Sequence, residues 1–205
     1  MTPAGEFRDA GAAARWARNL LYAQAALAAI SAATVLSGGF DTFVLSNAEL
    51  VVEILQNLLY FACGVTVLRW LYLANANARS LGAHDMMVTP VMAVIWPFVP
   101  LANLFMPYLT VRELWKASAR PRDFQAVTAP AILPLWWAVW IASAVSGVIA
   151  ATSGFGVDKE LLDAAATTRL VHDAFVIAGT LLFARILGRI QEMQTSPEHL
   201  RDRFA

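Results

Sequence analysis

The sequence predicts an all-α polytopic membrane helical bundle, with four transmembrane helices and a proline-broken re-entrant hairpin in one integral membrane domain spanning 1–205. Three observations carry this. Hydrophobic residues make up 59% of the 205 and charged residues only 15%, and the mean hydropathy is +0.56; a water-soluble domain does not have this balance. Four apolar runs each reach the roughly 20 residues that a helix needs to cross a bilayer core of about 30 Å. The cations, finally, segregate to one side only if a fifth apolar stretch turns back.

The same composition excludes several function classes. Fifteen Lys+Arg balance fifteen Asp+Glu, so no basic excess is present to neutralise a nucleic-acid backbone, and no nucleic-acid partner is expected. The single cysteine, Cys63, allows neither an intrachain disulfide nor a Cys-x-x-Cys metal or redox pair.

The first span runs from about Trp16 to Leu36, with Ala25, Ala29 and Ala33 at four-residue spacing, a small-residue pattern that lets membrane helices approach closely. Its apolar run exceeds the roughly 7–15 residues of a signal peptide and precedes further spans, so it reads as a packed helix. The second span covers about Leu50–Leu73. The third covers about Leu133–Ala151, with Ser143, Gly147 and Ala151 at the same small-residue spacing, and the fourth about Leu170–Leu187. Between the second and third, residues 91–109 are apolar but carry Pro97, Pro100 and Pro107. Proline removes a helix hydrogen bond and pushes the preceding residue out of the α region. A polar tail, 188–205, extends the last helix as far as Ser196-Pro197.

Charge decides between the two readings of 91–109, because cytoplasmic flanks carry the excess of Lys and Arg. Five full spans divide the fifteen cations seven against eight, which is no bias. A hairpin that dips and returns near Trp96-Pro97-Phe98-Val99-Pro100 puts thirteen on the side of both termini and leaves Lys159 and Arg169 opposite, with Asp41, Glu49, Asp158, Glu160 and Asp163. The re-entrant reading, with both termini cytoplasmic, is therefore expected; a kinked fifth span is the alternative.

The hairpin and its exit read Trp96-Pro97-Phe98-Val99-Pro100-Leu101-Ala102-Asn103-Leu104-Phe105-Met106-Pro107-Tyr108, then Val111-Arg112-Glu113-Leu114-Trp115-Lys116-Ala117-Ser118. A Trp-rich span entry, Trp136-Trp137-Ala138-Val139-Trp140, follows. This succession resembles the bacterial membrane family known as domain of unknown function 4328, from about Leu50 to the C-terminus. The resemblance implies a multi-pass module of the bacterial cytoplasmic (inner) membrane with no assigned reaction. In some relatives that module is joined to regulatory or zinc-ribbon-like domains, for which neither end of this chain has room.

Ionisable groups inside a membrane are costly, so each is a candidate for function. Glu53, Gln56, Asn57 and Tyr60 share one helical face of the second span, and Arg169, His172 and Asp173 lie within one turn of the last, at similar depth. They form a candidate polar pocket in which Glu53 meets Arg169 or His172. The alternative is an interfacial pair of Arg169 with Asp173 beside a hydrated Glu53. In the hairpin, Trp96, Pro97, Pro100, Asn103, Pro107 and Tyr108 are the distinctive residues. A helix starting near Leu101 would have its first N–H groups capped by Asn103, or would offer a positive end to an anion.

Arg112, Glu113, Trp115, Lys116, Arg120 and Arg122 form a candidate partner or lipid surface, or else plain positive-inside anchoring. Trp16, Trp70, Trp136, Trp137 and Trp140 suit an aromatic belt. His84, His172 and His199 are scattered, and no P-loop, dinucleotide fingerprint or Gly-x-Ser-x-Gly is present, so neither catalytic residues, nor a metal, nor a cofactor is expected. The expected function is an accessory, scaffold or signal-relay membrane subunit rather than an enzyme. Its partners are the lipid bilayer and either a protein partner or a second copy. The alternative is a small-solute, proton or cation transporter or channel acting as an oligomer.

Overall fold

The computed structural model describes residues 7–37, 47–153 and 159–196. Asp41, Asp158, His199, Arg201 and Arg203 lie outside them, as do Gly38-Gly39, Gly154-Phe155-Gly156 and the side chains of Glu49, Lys159 and Glu160. Among the described residues all regular structure is helical. The helices are α1 (Gly11–Leu36), α2 (Asn47–Ser80), α3 (Pro90–Ile95), α4 (Met106–Ala119), α5 (Ile132–Ser153) and α6 (Lys159–Gln194), with short 3-10 turns at Trp96–Phe98, Ala102–Leu104 and Pro121–Ala126. Four are long and apolar enough to cross a membrane, over Gly11–Leu36, Leu50–Ser80, Ile132–Thr152 and Asp163–Gln194. The chain is an all-α membrane helical bundle.

The helices outrun the apolar runs that reveal them. α2 has 34 residues and α6 has 36, so at ~1.5 Å per residue each far exceeds a 30 Å hydrocarbon core. Their extra turns set polar residues among strong helix formers, Ala76, Ala78 and Arg79 beside Asn75 and Asn77 in α2, and Arg189, Gln191 and Glu192 in α6. α2 stops where Gly82 takes φ 114°. Gly82 N–H donates to the Arg79 carbonyl (3.0 Å) and Ala83 N–H to the Ala78 carbonyl (3.1 Å), the paired bonds of a Schellman cap.

Between α2 and α5 the backbone is broken as the prolines require. Thr89 caps α3, its hydroxyl accepting from Met92 N–H at 3.2 Å, with Pro90 opening the first turn. Pro97 and Pro100 then end the helix, and α4 begins at Met106 rather than near Leu101.

By its internal contacts the chain divides into two compact units. Unit one comprises Met1–Arg18, Gly64–Pro134 and Ala184–Ala205; unit two comprises Asn19–Cys63 and Leu135–Phe183. In unit one Trp70, Leu114, Leu133, Ile186 and Ile190 are buried together with five polar side chains, Asn75, Asn77, Thr110, Ser118 and Gln194. In unit two the buried set is Leu21, Ala25, Ala28, Cys63, Trp136, Ala165 and Phe183, with Ser31, Ser146 and Asp173.

Two expectations about packing are corrected. Ala29 and Ala33 are exposed, whereas Ala14, Ala17, Leu21, Ala28 and Ser31 are buried. Strict four-residue spacing drifts about 40° around a helix per step, and alternating three and four keeps one face inward. The tryptophans do not form a single belt: Trp70 is 0% exposed with its Nε1–H on Gln191 Oε1 (3.3 Å). Trp136 is buried and stacks on Phe183 at 4.8 Å between ring centres. Trp16, by contrast, is 65% exposed.

Candidate functional site

Unit two holds a cluster of ionisable side chains inside the membrane-spanning helices. α6 carries Arg169, His172 and Asp173 within one turn, so they project toward adjacent neighbours. Arg169 Nη2 donates to Gln56 Oε1 of α2 at 2.7 Å, and Arg169 Nε lies 3.5 Å from Asp173 Oδ2. The Asp173 side chain is 1% exposed, and Ser31 of α1 is within hydrogen-bonding reach of its carboxyl. Asp173 Oδ2 and Arg169 Nε are nevertheless both buried without a formed hydrogen bond.

His172 points the other way around the helix, onto α5. Its Nδ1 lies 2.9 Å from the Ser143 carbonyl oxygen and 3.5 Å from Ser146 Oγ. A carbonyl can only accept, so Nδ1 carries the proton. Gly147 makes the approach possible: a Cβ there would lie 3.0 Å from His172 Cε1. Ser143 stands halfway along α5, so this contact is several turns from either end of the helix rather than at its interface.

The six residues of the expected pocket separate accordingly. Gln56, Arg169 and Asp173 form one connected set, with His172 beside it. Glu53 meets neither Arg169 nor His172; it lends its backbone carbonyl to Asn57 Nδ2 at 2.9 Å, and Asn57 is exposed. At helical spacing Glu53 and Gln56 differ by about 60° in direction, enough to send one to Arg169 and the other past it. Sequence reasoning missed Ser31, Ser146 and the glycine under His172. The usable signal was the run of small and hydroxyl residues in α1 and α5 opposite the charged turn of α6.

In the proline-broken segment 91–109 the apolar residues between α3 and α4 are turned outward, with Phe98 71% and Leu101 77% exposed. Leu101 adopts φ 64°, ψ −47°, and Ala102 N–H donates to the Pro100 carbonyl at 2.7 Å, a tight γ-turn centred on a non-glycine residue. Val99, Asn103, Leu104 and Phe105 N–H groups also find carbonyls within the turn. Asn103 is half-buried inside the 3-10 turn, and α4 has no side-chain cap. The expected capping role is therefore corrected: local backbone bonds satisfy the turn and Pro107 opens α4. Trp96, Pro97, Pro107 and Tyr108 are half-buried and Pro100 exposed.

The candidate partner surface is divided by Glu113, which turns inward. Its carboxylate accepts from Met87 N–H (2.6 Å) and Val88 N–H (3.0 Å). From the other side Arg79 Nη2 donates to the Met86 (2.8 Å) and Val88 (3.0 Å) carbonyls, and Asn75 Nδ2 donates to the same Val88 oxygen at 3.0 Å. The segment 84–88 is thus held by a cation reading its carbonyls and an anion reading its amides. Arg120 pairs with Asp123 at 3.8 Å and Arg122 lies over Gly82, leaving Arg112 exposed and Trp115 and Lys116 half-buried.

Elsewhere in unit one Gln194 Nε2 donates to the Ala74 carbonyl (2.8 Å) and Ser118 Oγ (2.9 Å), and Asn77 exchanges two bonds with the backbone of Arg8 (2.8 and 2.9 Å). Sequence reading passed over Asn75, Asn77, Arg79 and Gln194 because they lie beyond the apolar runs.

Among the described residues no three His, Cys, Asp or Glu side chains converge as metal ligands would. No curated protein and no solved structure matches the chain. A family match extends over residues 40–192, taking in the proline-broken segment 91–109, the Glu113 clamp and the Arg169 cluster. The chain belongs to the family described as Domain of unknown function (DUF4328).

Proposed function

We propose that this protein is a non-catalytic multi-pass subunit of a bacterial cytoplasmic membrane, an accessory, scaffold or signal-relay component that works by holding another membrane protein. The observation that carries this is how the polar groups of the spanning helices are used. Arg169, Gln56, Asp173 and His172 bond to one another and to neighbouring helices, while Val51, Ile54, Leu58, Phe61 and Val65 on α2 and Val145 and Val148 on α5 are exposed. In a bilayer, polar side chains turned inward bind helices together, and apolar faces turned outward meet lipid or another helix.

The hairpin reading is supported by its two flanks. Val88 N–H and Glu113 are hydrogen-bonded at 3.0 Å, so the chain leaves and rejoins at one level, whereas a crossing would separate the flanks by about 30 Å. With the cations divided thirteen to two, this favours a re-entrant excursion with both termini cytoplasmic. Native mass spectrometry of the protein extracted gently from its own membrane tests the subunit role. A stoichiometric protein partner is expected, and a lone monomer would contradict it.

A second reading, a small-solute, proton or cation transporter acting as an oligomer, is favoured by one observation: Asp173 Oδ2 and Arg169 Nε keep unused hydrogen-bonding capacity inside the spanning helices. Flux through proteoliposomes that is lost in Asp173→Asn, with folding retained, would put this reading first.

A further inference from the structure

A groove of about 260 Å³ in unit one lies between the start of α1 and the end of α6, bordered by Arg15 and Arg18 on one side and Gly188, Gln191, Glu192 and Thr195 on the other. Its polar lining is unbalanced toward donors. Neither Arg15 nor Arg18 has a hydrogen bond or ion pair among the described residues, although Arg18 is half-buried, its Nη1 lying over the α6 backbone at Gly188. Gln191 accepts from Trp70 through Oε1, which leaves its amide N–H groups to donate. The one acid of the lining, Glu192, is engaged by Arg189 at 2.9 Å, and Asp9 outside it accepts from the Gly11 N–H at 2.7 Å.

Two unpaired guanidinium groups and an amide lining one groove, whose single carboxylate is already taken by Arg189, call for an anion with several oxygens, and Arg matches the geometry of a phosphate. Position along the chain narrows the source. Arg15 and Arg18 flank the exposed Trp16, where the apolar run of α1 begins, and the groove residues Gly188 to Thr195 follow the apolar run of α6. Cation, exposed Trp and the start of hydrocarbon-length helix mark the level of lipid phosphates.

We infer that this groove is a binding site for the phosphodiester head group of an anionic phospholipid, held by Arg15, Arg18 and the Gln191 amide. The site is independent of the subunit role proposed above, so either can fail alone.

The test is phosphatidylglycerol binding to the full chain in detergent, counted by native mass spectrometry against phosphatidylcholine. One retained phosphatidylglycerol per chain is expected, with affinity about tenfold weaker in the Arg15→Gln/Arg18→Gln double variant. Arg18→Lys keeps the charge and loses the fork, so its affinity falls between the two. Arg69→Gln/Arg185→Gln, an equal charge change at two exposed sites on the same unit, leaves binding unaltered. Equal loss in Arg69→Gln/Arg185→Gln, or no loss in the Arg15→Gln/Arg18→Gln variant, overturns the site. Displacement of the lipid by inorganic phosphate overturns the lipid assignment and gives the groove to a soluble phosphate ester. Thermal midpoints matching the unaltered protein exclude misfolding as the cause.

Discussion

Leu101 occupies a backbone region that costs an L-residue about 1–2 kcal/mol, yet its side chain is among the most exposed in the chain and packs little against the protein. Replacing Leu101 by Gly should therefore raise stability by about 0.5–1 kcal/mol, the strain relieved less the freedom glycine gains when unfolded. The thermal midpoint of the full chain in detergent checks this, and a lower midpoint would show that the γ-turn is not strained. Gly147 is the opposite case. An alanine Cβ there would sit 3.0 Å from His172 Cε1 and 3.2 Å from Nδ1, against a ring anchored to the Ser143 carbonyl. Gly147→Ala is expected to cost about 1–3 kcal/mol. Gly179→Ala, whose Cβ meets only Val139 Cγ1 at 3.5 Å, should be neutral or gain up to about 1 kcal/mol from helix propensity. Equal effects at the two glycines would mean that His172 is not packed as described.

At the scale of elements, the end of α2, the segment 84–88 and α4 behave as one structural unit. The Schellman cap at Gly82 sets the direction in which the chain leaves α2, Arg79 and Asn75 hold its carbonyls, and Glu113 of α4 holds its amides. Hydrogen bonds to a charged group contribute about 1.5–3 kcal/mol each, and a neutral amide oxygen accepts more weakly. Glu113→Gln should therefore destabilise the chain by about 1–2 kcal/mol and speed hydrogen exchange at the Met87 and Val88 amides before others in unit one. Uniform acceleration across α4 would indicate that Glu113 supports the helix rather than the segment beside it. The same geometry explains why Glu113 is unavailable to a docking partner, although by sequence it belongs to a basic, amphipathic surface.

For the whole molecule the central expectation is topological. Asp85 and Gln125 are both exposed, one before the hairpin and one after it, and the single native thiol, Cys63, is buried. Cysteines introduced singly at these positions should react with a membrane-impermeant maleimide from the same, cytoplasmic, side. Reaction from opposite sides would establish a fifth crossing and remove the charge asymmetry on which the orientation rests.

By itself the sequence determined the class of fold, the four spanning helices and the break between the second and third, because bilayer thickness fixes the length of an apolar run and proline cannot donate within a helix. The order of Pro, Asn and Trp residues also carried the family resemblance. Composition is silent about direction around a helix axis, and there the tertiary structure decided. It chose Gln56 rather than Glu53 for Arg169, set His172 against the middle of α5, and buried Trp70 and Trp136 instead of leaving them at an interface. The clamp on 84–88 was equally hidden, since hydrogen bonds between Arg79 or Glu113 and backbone groups leave no residue-type signature in the segment they hold. A hydrophobic count fixes which residues leave water, whereas the partners of the polar residues among them depend on angles of a few tens of degrees that only packed neighbours set.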